Sequence, residues 1–152
     1  MRVTTYKTLL DEDRKTVLVK ERAINCIGID SLCRPDLVRE MLCRIFDAEK
    51  LAEEHLWLLA LDTKCHLIGV FEISHGTVNA AITTPREVFV RLCLCGASGF
   101  ILAHNHPSGD TTPSKEDVKL TEQMQSAGKL MGIQMLDHVI VGDGYHSMKE
   151  DQ

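Results

Sequence analysis

The residues best suited to chemistry lie in one short stretch, His104-Asn105-His106-Pro107-Ser108-Gly109-Asp110-Thr111-Thr112-Pro113-Ser114-Lys115-Glu116-Asp117. It follows Gly99-Phe100-Ile101-Leu102-Ala103, an apolar run that reads as a buried strand. Side chains two apart on a strand leave the same face, so His104 and His106 point together. The proline- and glycine-containing turn can then fold back and bring Asp117, at the start of a helix, to the same point. Two imidazoles and one carboxylate form a three-ligand set that leaves a fourth tetrahedral position open. That is the pattern of a catalytic zinc site rather than a structural one.

A hydrolytic zinc site also needs a base to take a proton from activated water and return it to the leaving group. Glu87 and Glu116 each sit in the first turn of an expected helix and read as solvated charges. Glu72 lies within Leu67-Ile68-Gly69-Val70-Phe71-Glu72-Ile73, where simple alternation puts it on a face with Ile68, Val70 and Ser74. An unpaired carboxylate on a buried strand is costly. Glu72 is therefore the expected general base, against the alternative of a carboxylate hydrogen-bonded at a sheet edge. Ser114-x-x-Asp117 also has the form of a capping box, which by itself accounts for both residues. Beyond capping, the Ser114 hydroxyl is a candidate donor to an oxyanion beside the metal. Ligating histidines need an acceptor for their second nitrogen, and Asp137, His138 and His75 are the candidates. His55, His66 and His146 read as unrelated to the site.

These groups need a scaffold. A helix runs through Asp36–Leu42, with Ser31 as the expected cap and Pro35 in its first turn. Residues 55–61 form an apolar strand, and the turn Asp62-Thr63-Lys64 leads into a second one over 65–74. A third strand is expected at 78–83. Pro85 starts a helix closed by Gly96, and a longer helix runs from Ser114 to about Leu130 and ends at Gly132. Residues 135–141 form another strand, and Gly142-Asp143-Gly144 turns it back into 145–148. Residues 1–24 are charge-rich and weakly patterned, with one short edge strand expected at 16–20. Strands and helices interleave, which predicts an α/β domain with a mixed sheet flanked by helices.

At 152 residues, 44% apolar and 26% charged, the chain suits one globular domain. A net charge of −5 argues against a broad duplex-DNA footprint. No apolar run is long enough to span a bilayer, and the first residues lack the apolar middle of a signal peptide, so a cytoplasmic location is expected. None of the six cysteines forms a Cys-x-x-Cys pair, which fits reduced thiols. An exposed strand at 16–20 or 78–83 could pair two copies into a homodimer.

Taken together, Glu72, His104-x-His106-Pro107 and Ser114-x-x-Asp117 resemble the JAMM motif of the MPN/JAB metallopeptidases. Within that superfamily the chain resembles the bacterial RadC family, through Leu61-Asp62-Thr63-Lys64, Pro85-Arg86-Glu87-Val88-Phe89, Ala103–Asp110 and Leu136–Gly144. The resemblance spans roughly residues 30–150. It implies a single JAB/MPN-like (cytidine-deaminase-like) domain over 31–152 with a curved mixed sheet, preceded by an extension of uncertain structure over 1–30. It further implies zinc on His104, His106 and Asp117, Glu72 as base, and Ser114 at the oxyanion. The expected activity is zinc-dependent hydrolysis of peptide or isopeptide bonds in a peptide or protein substrate. Longer RadC proteins carry a helical DNA-binding-like region that residues 1–30 do not resemble, so a DNA role rests on family association alone. The rival reading is a non-catalytic zinc-binding module in DNA processing or scaffolding. A nucleobase deaminase needs His-x-Glu and Pro-Cys-x-x-Cys, and neither occurs.

Overall fold

The computed structural model describes residues 1–76 and 83–150. Seven strands form one sheet: β1 (Arg2–Leu10), β2 (Thr16–Asn25), β3 (Glu54–Leu61), β4 (Leu67–Gly76), β5 (Gly99–Asn105), β6 (Gln134–Gly142) and β7 (Gly144–Ser147). Their order across the sheet is β2-β1-β4-β3-β5-β6-β7. The sheet is mixed: β1 runs parallel to β4 and β5 to β6, and the other neighbours are antiparallel. Three helices, α1 (Pro35–Phe46), α2 (Pro85–Cys95) and α3 (Lys115–Met131), cover it. This is the α/β architecture expected from the interleaved pattern.

Two apolar layers hold the sheet between them. Trp57, Leu59, Leu61, Val70, Ile101, Ala103, Val139 and Val141 pack with Val38, Met41 and Leu42 of α1. Leu56, Leu58, Ala60, Phe71, Phe100 and Leu102 pack with α2 and α3 on the other side. The central strand β3 contributes alternate residues to each layer, as a strand covered on both faces must. We refer to these as the α1 face and the α3 face.

Three local expectations change. Helix α1 begins at Pro35 with Arg34, not Ser31, at its N-cap, and Arg34 makes no side-chain cap. A residue before proline is driven into the extended region, and Arg34 at φ −123°, ψ 137° obeys this, which sets the helix start. Residues 1–30, expected to hold one short strand, instead supply the long hairpin β1–β2, whose inner strand joins β4. Many of its side chains are exposed, so its alternation is faint in sequence. Third, β4 is bulged twice against β3. Ala60 pairs with Gly69 but Leu61 with Leu67, and Leu56 pairs with Ser74 but Trp57 with Glu72. Ile68 and Ile73 are the extra residues, and each reverses the alternation beyond it. The strand expected at 78–83 falls almost wholly outside the described residues.

Candidate metal centre

Strand β5 delivers both histidines to the end of the sheet. His104 pairs with Leu56 and so lies on the α3 face. His106 follows where the strand gives way to the loop, and its backbone N–H donates to the Val141 carbonyl at 2.8 Å. The loop then docks on the β6–β7 turn. The Gly109 N–H donates to His106 O at 3.0 Å, and the Asp143 N–H to Gly109 O at 2.8 Å. Gly109 has φ +83°, a conformation natural to glycine. A side chain on Gly142 would collide with the Gly109 carbonyl. The turn is thereby pressed against β6, and α3 starts where Asp117 reaches back.

The capping box and the ligand set are both present, in the same residues. The Ser114 hydroxyl oxygen accepts from the Asp117 N–H at 3.1 Å, and Asp117 Oδ2 accepts from the Ser114 N–H at 2.7 Å. Asp117 Oδ1 is also 3.2 Å from His104 Nε2, and Oδ2 is 3.5 Å from His106 Nε2. The two imidazole Nε2 atoms are 2.9 Å apart. A tetrahedral ion with ligand bonds of about 2.0–2.1 Å has edges of about 3.3–3.4 Å. The three separations scatter around that length, so the residues fit a small divalent cation.

The proton inventory shows why these nitrogens are ready for one. The Thr121 hydroxyl donates to the Asp117 carbonyl at 2.7 Å, which uses its only proton. It must then accept from His138 Nδ1, also at 2.7 Å. His138 Nε2 is therefore a lone pair, and it accepts from His104 Nδ1 at 2.8 Å. In the neutral imidazole that leaves His104 Nε2 without a proton. His106 Nδ1 donates to the Asp110 carbonyl at 2.6 Å, so its Nε2 is unprotonated too. Two lone pairs at this spacing repel unless a cation stands between them. Burial pushes His138 well below its usual range, which keeps it neutral and able to accept. For Asp117, desolvation by burial opposes ionisation, and it is outweighed by positive charge at His104 Nε2, which a proton taken up there or a cation in its place would supply, together with the Ser114 contacts. Its carboxyl is held well below the usual carboxylate range.

Glu72 is not part of this cluster. Its side chain is 48% exposed, and its partner is His55 Nδ1 at 3.3 Å. It lies opposite Trp57 and so on the α1 face, while His104 is on the α3 face. The expectation of a buried Glu72 beside the histidine pair is overturned by the bulge at Ile73, which no alternation count includes. Glu54 is the acid that sequence reasoning passed over. It begins β3 and is half-buried. It belongs to the same alternation class as Leu56 and therefore to the face of His104. The available signal was an acid heading an apolar strand in phase with Leu56 and Leu58. Glu87 bonds the Thr84 hydroxyl, and Glu116 is exposed, as expected for helix-start charges. Asp137 is committed to the His138 and Lys149 N–H groups and the Ser147 hydroxyl, so His138, not Asp137, serves His104. His75 and His55 lie with Glu72.

Residues 32–152 match the family described as the RadC-like JAB domain. The chain belongs to that family. Related proteins named UPF0758 include one from Methanococcoides burtonii, 50% identical over 103 residues, covering 67% of this chain and 45% of the relative. Those from Alkaliphilus metalliredigens and Alkaliphilus oremlandii are 45% and 47% identical over 117 residues, 76% of this chain and 50% of each relative. The chain thus spans about half the length of the curated relatives it matches. In this RadC-like JAB domain, His104, His106 and Asp117 are positioned to hold a metal ion, as are His55, Glu72 and His75. Among the described residues no helix is long and apolar enough to cross a membrane.

Proposed function

We infer that the domain is a zinc-dependent hydrolase of amide bonds, acting on a peptide or isopeptide link in a protein substrate. The observation that carries the reading is the pair of Nε2 atoms facing one buried carboxylate, with the other nitrogen of each ring already held by a hydrogen-bond partner. An N2O set with one position open suits zinc. When bound, zinc supplies Lewis acidity that polarises a carbonyl and acidifies water toward neutral pH.

The chain's own residues supply the rest. Asp117 stays ionised and offsets part of the cation's charge. The Thr121–His138–His104 relay holds one imidazole in a single tautomer and orientation, and the Asp110 carbonyl does the same for His106. The Ser114 oxygen already accepts the Asp117 N–H, so its proton is free for a developing oxyanion. Glu54, on the His104 face, takes the base role: it holds the proton and delivers it to the leaving nitrogen. The net charge of −5 favours a protein substrate over DNA, and a cytoplasmic setting suits the free cysteines.

The test compares the native chain with Glu54→Gln and Glu72→Gln, measuring zinc content and cleavage of a panel of fluorogenic peptides and isopeptide-linked conjugates. The reading expects Glu54→Gln to retain zinc at His104, His106 and Asp117 and lose turnover, while Glu72→Gln keeps turnover. Identical behaviour of the native chain and Glu54→Gln in every assay would leave a zinc-binding module without catalysis.

A further inference from the structure

We propose that His55, Glu72 and His75 form a second divalent transition-metal site, on the α1 face of the same sheet end. Their ligand atoms lie within 4.8 Å of one another. His55 Nδ1 and Glu72 Oε1 are 3.3 Å apart, already the edge of a tetrahedral zinc-sized site. The His55 and His75 rings stack with centroids 4.1 Å apart and planes within 21°, a spacing at which two imidazolium charges would oppose each other. A metal ion bound by neutral rings removes that conflict. Glu53, whose carboxylate lies against His75 Nε2, adds a second negative charge, so two carboxylates and two neutral imidazoles would balance a divalent ion.

The arrangement is built. Glu72 and His75 are three apart in sequence, which on a regular strand puts them on opposite faces. The bulge at Ile73 returns them to one face, opposite Trp57 and His55 respectively. His55 is held from behind by a stack on buried Trp57, centroids 5.6 Å apart at 12°. Its backbone is fixed by Asn105, which is 1% exposed. Asn105 Oδ1 accepts from the His55 N–H at 2.8 Å, and Nδ2 donates to the Glu53 carbonyl at 2.9 Å. Imidazole and carboxylate donors in this mix select zinc, nickel or copper over magnesium or calcium.

The experiment is zinc titration of the full chain by calorimetry with elemental analysis after dialysis, repeated on H75Q, E72Q and H104A. The native chain is expected to take two zinc equivalents, with the weaker one in the micromolar range or tighter and indifferent to millimolar magnesium. H75Q and E72Q each lose the weaker equivalent and keep the tighter one; H104A does the reverse. Circular dichroism confirms that each variant is folded. His75 and Glu72 are about half exposed, and E72Q hardly changes side-chain volume, so the test survives if one variant fails. A single equivalent in the native chain, a second that appears only at millimolar zinc, or two equivalents retained in both H75Q and E72Q would overturn the site.

Discussion

The two clusters sit back to back at one end of the sheet, and they differ in how much of the fold supports them. On the α3 face, His104 is fully buried, Asp117 is 4% exposed, and every second nitrogen has an assigned partner. On the α1 face, Glu72 and His75 are about half exposed, and their partners are His55 and the exposed Glu53. The same donor chemistry thus appears once with its protons and rotamers fixed in advance and once with that cost left to the moment of binding. Preorganisation, more than ligand identity, is what should separate them in affinity.

The largest effect should come from removing a buried ligand. Asp117→Asn deletes the charge that the cation answers and disturbs the capping box. Zinc affinity at the buried site should fall by at least about two orders of magnitude, with amide hydrolysis lost, and calorimetry reads both clusters separately. A variant that keeps full affinity would mean that the buried cluster is a charge pair and no more.

Next comes the relay. Thr121→Val is nearly isosteric and removes no ligand atom, yet it strips His138 of its acceptor and the Asp117 carbonyl of a donor, and so frees the tautomer of His104. Affinity at the buried site should drop about 10–100-fold, and the exposed cluster should not respond. Equal losses at both clusters would show that the variant acts by general loosening.

The clusters should also separate by pH in the metal-free chain. The folded pKa of His138 lies below its unfolded value, so the unfolded chain binds more protons and stability falls with acidification. The contribution is fully present above about pH 7.5. It declines below about pH 6.5, by at most about 1.4 kcal/mol per pH unit. Asp117, also depressed, has the same sign at lower pH, its contribution being lost from about pH 4 downward. Denaturant titrations between pH 8 and 5 should show the slope, and His138→Gln should flatten it.

The smallest effect is geometric. Gly142→Ala would press against the Gly109 carbonyl and shift the turn that carries His106. Weaker zinc binding by several-fold, with loss of about 1–3 kcal/mol as for other overpacked positions, is expected; an unchanged affinity would show that the loop yields elsewhere.

Much of the buried cluster was legible in sequence because its rules are short-range. His104 and His106 are two apart across a strand end, and Ser114 and Asp117 are three apart at a helix start. The apolar runs 55–61 and 99–103 announced the central strands in the same way. Glu72 failed for the complementary reason. Its face depends on which residue of β4 meets which residue of β3, and a bulge at Ile73 changes the answer without leaving a local signature. The hairpin of residues 2–25 was equally faint, since many of its side chains meet solvent and its register comes from pairing.

What the residue string determined by itself was the donor set, the loop that bends it and the helix start that closes it, because alternation, proline geometry and capping act within a few residues. Only the tertiary structure decided which acid shares a face with the histidines, which imidazole passes its lone pair to which, and that a second cluster exists at all. Those outcomes are set by contacts between residues tens of positions apart, where one inserted strand residue sends a side chain through to the other side of the sheet.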